Sequence, residues 1–392
     1  METRDSKSVD VCDFIFILWL ISASSNMMLA VLRLDKIQSV VLAINFVIAL
    51  VAVFYTFTAN PPNSIFVLWI VMLFISFIAV IMSCENLNFD NMKKWIMCMS
   101  TINLYFFCCT IKPKKIMVNA SLFASMLCGL FLVYAYFTGY GYSNVNLERM
   151  FTFGMSNPNL TAIWLLSIFL LVFVSLGYFK KRILKVLCLV ILAFLGYFIW
   201  LTEARACMGA MLVFLFFYFI NYRKYSRAVT FFVVVFPIVF ALIYMYMANH
   251  GMLRDITFSV SEGKSITSRV YIWRRMFKVF TEHPILGNYS ESMGNGHNIW
   301  VDTLATYGII FWTLLVSFLC TILNTIGKYI KTKKQMVGIL AFYTIILSGT
   351  FEAALFAGSV GFYFFSGIFL LLAKYDEENY EQGSNSVHIQ GE

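Results

Sequence analysis

Charge is what this 392-residue chain has least of: Asp, Glu, Lys and Arg together make up 12% of it, against about 25% in a soluble domain. Hydrophobic residues reach 60%, aromatics 18%, and the mean hydropathy is +0.79. A water-facing surface cannot be assembled from that inventory, which excludes a string of soluble domains, a coiled coil, a disordered chain or a disulfide-stapled secreted scaffold. Histidine is scarce too, with four residues at 250, 283, 297 and 388, and no Asp-x-Asp motif occurs. The 9 cysteines lie mostly inside apolar stretches (Cys98, Cys108, Cys109, Cys128, Cys188) without metal-ligand spacing. They read as small core hydrophobes.

What is present in quantity is apolar sequence in long continuous runs. A bilayer core of about 30 Å needs about 20 helical residues per crossing, because lipid offers no partner for an unpaired backbone amide. Candidate spans fall near 12–32, 38–58, 64–83, 96–111, 117–138, 160–179, 183–201, 207–222, 228–248, 305–326, 336–355 and 357–373. Their continuity argues against a β-barrel, whose strands alternate. The expected fold is all-α: a single integral membrane domain over 1–392, a bundle of about 12 transmembrane helices. The head, with Arg4 and Lys7, resembles a signal peptide, but its apolar run continues to Leu32 and fits a first span better.

Lys and Arg in the short loops set orientation. With the N-terminus cytoplasmic, inner segments hold 17 of them, including Lys112, Lys114, Lys115, Lys180, Lys181, Arg182 and Lys374, against 6 in short outer loops. Both termini are therefore expected inside. The net charge of +9 follows largely from those loops on an anionic leaflet, and no nucleic-acid partner is needed to explain it. The acidic tail 374–392 is expected to be cytoplasmic and disordered.

One segment breaks the pattern. Residues 249–296 are too polar to span and form a large extracytoplasmic loop, carrying Arg254, Lys264, Arg269, Arg274, Arg275 and Lys278. Within it, about 265–282 reads as an amphipathic helix capped by Ser265 or Thr267, with Ile266, Val270, Trp273, Phe277 and Phe280 as its apolar stripe. Arg274, Arg275 and Lys278, on the opposite side, are expected to meet anionic headgroups. Arg269 lies at the edge of the stripe. A glycine-containing approach (Gly287, Gly294, Gly296) then leads to His297-Asn298 at the start of a new helix, with His297, Val301 and Leu304 on one face. A lone histidine there is more often a cap than a catalyst. Between spans seven and eight, Glu203 and Arg205 sit at the outer surface, either as a local pair or as a site. Glu352 is the main charged exception within the spans.

Taken in order, GMSNPN at 154–159, ARACMGA at 204–210, SRVYIWRRMFKVFTEHPILGN at 268–288 and GHNIWVDTLATYGIIF at 296–311 resemble the O-antigen ligase and polymerase family of bacterial polysaccharide assembly. The resemblance covers about 150–320. Two positions depart from it: Ala204, where a small hydroxyl residue is frequent, and Asn288 after Pro-Ile-Leu-Gly. It implies a GT-C-like glycosyltransferase of the bacterial cytoplasmic (inner) membrane with its active site facing outward. The implied donor is a glycan on undecaprenyl pyrophosphate and the acceptor a second glycan. Membrane lipids, a flippase and a chain-length regulator are the implied associates. Arg205, Arg269 and His297 stand at the family's functional positions, with Trp273 and Asn298 as further substrate-binding candidates.

The chemistry agrees. A pyrophosphate leaving group gains charge as the glycosidic bond breaks, and guanidinium offers forked donors that stay charged. Two arginines can supply that without a metal or a cofactor, and a lipid-linked donor fits the lack of Asp-x-Asp. Polymerase is the preferred reading and ligase, transferring glycan to lipid A core, the alternative. A flippase or transporter would place charge inside its spans. A peptidoglycan glycosyltransferase shares the lipid-pyrophosphate chemistry, but the His-Asn pair argues against it.

Overall fold

The computed structural model describes residues 10–58, 61, 63–83, 89–145, 148–155, 157–222, 224–250, 252, 267–292, 297–350 and 360–376. Ser265, Ile266, Gly294, Gly296, Arg254, Lys264, Glu352 and the tail from 377 lie outside the described residues. The described chain is helical almost throughout. The helices are α1 (Val11–Val31), α2 (Asp35–Thr58), α3 (Asn63–Ser83), α4 (Phe89–Thr110), α5 (Lys115–Phe137), α6 (Pro158–Leu176), α7 (Arg182–Leu201) and α8 (Arg205–Phe219). They continue with α9 (Arg227–Asn249), α10 (Thr267–Glu282), α11 (Tyr289–Ser292), α12 (Ile299–Gly327), α13 (Lys333–Ser348) and α14 (Val360–Lys374).

Among the described residues, eight helices are long and apolar enough to cross a membrane: α1, α2, α3, α5, α6, α7, α9 and α12. The other expected spans correspond to shorter apolar pieces, 98–110 within α4, α8, α13 and 365–374 within α14. α6 is the most enclosed, with 78% of its apolar window buried. It is apolar on every face and packs against α5, α7, α13, α14 and α8. Asn157 caps it, accepting from the Asn159 amide at 2.8 Å, and Pro158 occupies the first turn, where a missing N–H leaves nothing unpaired. Eight described cysteines are free thiols, seven of them buried.

A feature absent from the sequence reading is an antiparallel hairpin between α5 and α6, β1 (Tyr142–Val145) with β2 (Glu148–Phe151), pairing Tyr142 with Phe151 and Val145 with Glu148. Phe151 and Phe153 pack on Phe198 of α7, and Arg33 in the α1–α2 turn donates to the Tyr142 carbonyl at 3.1 Å. One end of the bundle thus gathers the α1–α2 turn, the hairpin and the end of α7.

The opposite end is tied together by lysines and polar side chains. Lys114 joins Asp10 (2.6 Å) and Asp13 (3.2 Å) at the start of α1. Lys374 donates to the carbonyls of Cys108, Cys109 and Ile111 at the end of α4. Gln335 donates to the Tyr375 carbonyl, and Tyr225 to Asn324.

α12 is two helices in one. Gly308 has φ 74° and ψ −177°, which no helix accommodates. Residues twelve positions apart in a straight helix are separated by about 18 Å along the axis. The Trp300 and Trp312 rings lie 6.2 Å apart, centroid to centroid, so the chain bends sharply between them.

Candidate functional site

Asn298 starts the site. Its Oδ1 accepts from the Trp300 and Val301 amides at 3.0 and 3.1 Å, which makes it the N-cap of α12. Its Nδ2 donates to the Pro237 carbonyl at 2.8 Å and the Thr350 carbonyl at 2.9 Å. Pro237 interrupts the α9 ladder, because proline has no N–H to donate and its ring crowds the preceding turn. Trp300 places its indole N–H on the Val234 carbonyl one turn earlier. The start of α12 is therefore anchored to the middle of α9, about 18 Å in from that helix's end at 1.5 Å per residue. With no exposed surface and its amide engaged on both sides, Asn298 positions the chain; it does not present itself to a substrate as the sequence reading expected.

His297 immediately precedes the cap and has φ 45°, so it lies outside the helix, not on its first turn with Val301 and Leu304 as expected. The left-handed backbone of a non-glycine residue needs support. Arg269 of α10 provides some, donating from Nη1 to the His297 carbonyl across 3.4 Å. Both residues are half-exposed. Arg269 also lies within electrostatic reach of the Tyr244 phenol on α9.

α10 holds Arg269 in place by burying Val270, Trp273, Met276 and Val279 against α9 and α12, while Phe277 and Phe280 are only partly covered. This shifts the expected stripe toward Met276 and Val279, because α10 is packed on two helices at once. Trp273 is fully buried, edge-on to Tyr244 with ring centroids 5.6 Å apart. It acts as an anchor for α10. Arg274, Arg275 and Lys278 are exposed as expected, yet each has a protein partner: Asn249, Glu291 at 4.0 Å and Glu282 at 3.7 Å.

A backbone joint fixes α10 relative to α12. The bond that a continuous helix would form between the Ala305 carbonyl and the Ile309 amide is replaced by two others. Asn288 donates to the Ala305 carbonyl at 2.8 Å, and Ile309 donates to the Pro284 carbonyl at 2.9 Å. The Pro284–Asn288 segment thus fills the break at Gly308. The expected Pro-x-x-Gly stretch is the piece that satisfies the interrupted helix.

Arg205 opens α8 after the three-residue turn 202–204, in which Glu203 has φ 56° and both charged side chains are exposed. It shares the end of the bundle with Arg269 and His297. Its helix packs mainly on α13, with smaller contacts to α6 and α7. The structure brings Arg269 and His297 into contact and sets Arg205 on a separate helix of the same end.

Sequence reasoning passed over Asp302, buried one turn into α12 and within electrostatic reach of Cys98 and Tyr307. An acid four positions after a capping asparagine, where the helix dipole favours negative charge, was the available signal. Among the described residues no group of three or more His, Cys, Asp or Glu is placed to hold a metal. No protein-family model matches the chain, and no curated protein matches it.

Proposed function

We propose that the chain is a polysaccharide polymerase, a glycosyltransferase that joins oligosaccharide repeat units carried on undecaprenyl pyrophosphate at the outer face of a bacterial cytoplasmic membrane. The observation that carries the reading is the Arg269–His297 contact, on the residues that carry the family resemblance. A guanidinium carries its five N–H donors in a planar fork whose geometry suits an anionic phosphate oxygen pair. Negative charge grows on the pyrophosphate as its bond to the anomeric carbon breaks, and Arg269 and Arg205 supply the balancing charge. The acceptor hydroxyl oxygen forms the new glycosidic bond. His297 takes the hydroxyl proton or bonds the departing pyrophosphate. Trp273 and Asn298 act through the geometry they impose on α10 and α12.

A transporter reading draws support from the broken α12, since transporters build substrate sites on discontinuous helices. Here the groups freed at 305 and 309 are taken by the chain's own 284–288 backbone, which favours the enzyme. The test is the surface polysaccharide of a strain lacking this protein. A single repeat unit on carrier or core indicates a polymerase, full-length polymer left on undecaprenol indicates a ligase, and a normal ladder rejects both.

A further inference from the structure

At the lysine-rich end, opposite the site above, a cavity of about 230 Å³ opens between the start of α5, the turn after α6 and the end of α14. Its walls are Lys115, Asn119, Tyr178, Lys180 and Tyr375, over a base of Val118 and Leu122. Lys115, Asn119 and Lys180 are exposed, while Val118, Leu122 and Tyr375 are buried. Tyr178 is held in the wall by its hydroxyl, which donates to the Leu372 carbonyl at 3.2 Å, and by its contact with the Tyr375 ring. The Lys334 ammonium stands 5.3 Å from the Tyr178 ring centroid and adds a third cation behind that wall.

The cavity continues into a lipid-facing surface. Lys115, Asn119, Phe123, Leu127, Leu130 and Tyr134 follow one another at helical spacing on a single exposed face of α5. A chain lying along Phe123, Leu127 and Leu130 would bring its head to Asn119 and Lys115, and there meet Lys180. Asn119 is the one amide on that face, one turn from Lys115 and between it and the apolar residues. Basic pockets between helices at the inner leaflet suit anionic headgroups.

We propose that this cavity binds the phosphodiester headgroup of an anionic phospholipid whose acyl chains lie along the exposed face of α5. The lysines hold the phosphate, Asn119 reaches the glycerol oxygens, and the aliphatic base meets the glycerol carbons. The site is independent of the transferase reading, since it lies at the opposite end of the bundle.

The experiment is native mass spectrometry of the purified full chain titrated with phosphatidylglycerol, with phosphatidylcholine of the same acyl chains, and with glycerol 3-phosphate. One saturable phosphatidylglycerol is expected, bound in preference to phosphatidylcholine and to the soluble ester. Lys115→Gln with Lys180→Gln should weaken it about thirty-fold, or about five-fold per lysine. The control pair Lys112→Gln with Lys331→Gln, exposed at the same end but outside the cavity, should leave it unchanged. Equal binding of the two lipids overturns the proposal, as does an equal loss in the control pair. Binding of glycerol 3-phosphate as tight as that of the lipid overturns it as well.

Discussion

Gly287 and Gly308 interlock where the segment after α10 crosses the break in α12. A Cβ on Gly287 would stand 2.5 Å from the Thr306 carbonyl carbon and 2.6 Å from the Gly308 amide nitrogen, and one on Gly308 would run into the Ile285 carbonyl. Both residues have positive φ, 69° and 74°. Because the obstacles are backbone atoms, neither side can yield without breaking the Asn288–Ala305 and Pro284–Ile309 bonds. Gly287→Ala and Gly308→Ala should each lose about 1 to 3 kcal/mol from the backbone conformation alone, with the clash in addition. Scanning fluorimetry of the detergent-purified protein reads this as a lower melting midpoint. Wild-type midpoints in both variants would show that the joint does not carry the load assigned to it.

Asn298 gives a sharper case, because its two halves can be separated by substitution. Asn298→Ala leaves the Trp300 and Val301 amides and the Pro237 and Thr350 carbonyls without the partner they have. The expected loss is at least about 2 kcal/mol. Asn298→Asp keeps the cap but turns a carboxylate oxygen toward two carbonyls, so it should be no more stable than the alanine variant. A stable Asn298→Asp protein, judged by the same melting midpoint, would mean that the Pro237 and Thr350 bonds contribute little.

For activity, Arg269 is the informative position. Arg269→Ala should stop chain extension with the protein still present in the membrane. On the proposed role Arg269→Lys should also fall by about 100-fold or more, since an ammonium could not reproduce the fork needed to meet both the His297 carbonyl and a phosphate. The measurement is polymer length on a gel, alongside an immunoblot for expression. Wild-type ladders from the lysine variant would reduce Arg269 to a point charge.

The helices were legible because hydropathy is a local property, and runs of apolar residues announce themselves. What was not legible depends on distant partners. Gly308 sits in an apolar run that reads as one continuous span, and its break makes sense only beside Pro284–Asn288. Asn298 drew attention as a neighbour of His297, but its donors serve Pro237 and Thr350, 61 and 52 positions away. On α10 the expected stripe missed Met276 and Val279, because one helix's periodicity does not say that two helices will flank it. Arg269 and His297 were both legible as unusual residues at one end. Their contact through the His297 carbonyl was not.

At the lysine-rich end, Asp10 and Lys114 should give the protein its acid limb. Burial pushes the Asp10 carboxyl up, but the hydrogen bond from Lys114, the backbone N–H groups of Asp13 and Cys12, and the Lys114 charge together hold it below its ordinary 3.8. A depressed folded value means the contribution is present above the unfolded value and is lost as pH falls through the folded one. Melting midpoints should therefore decline below about pH 4 in the wild type. Asp10→Asn should flatten that decline while lowering the midpoint at neutral pH. The pair is partly exposed, so raised salt should shrink the difference. A variant whose acid limb matches the wild type would assign the decline to other carboxyls.

Lys374 poses a different problem, a partly buried cation held by backbone alone in the contacts it makes at the end of α4. Its Nζ donates to the Cys109 carbonyl at 2.6 Å, the Ile111 carbonyl at 2.5 Å and the Cys108 carbonyl at 3.1 Å. These are the acceptors that the last turn of α4 leaves without helical donors, at the end where the helix dipole favours a cation. Three acceptors converging on one point suit an ammonium, whose three protons diverge from a single nitrogen. Lys374→Met keeps the aliphatic length and removes the donor, so it should lose about 1 to 3 kcal/mol, after the relief of no longer burying a charge. Lys374→Arg should recover only part of that, because a planar fork cannot point at all three carbonyls at once. Full recovery by arginine in the melting midpoint would mean that charge alone, and not the convergence of the three bonds, closes the end of α4.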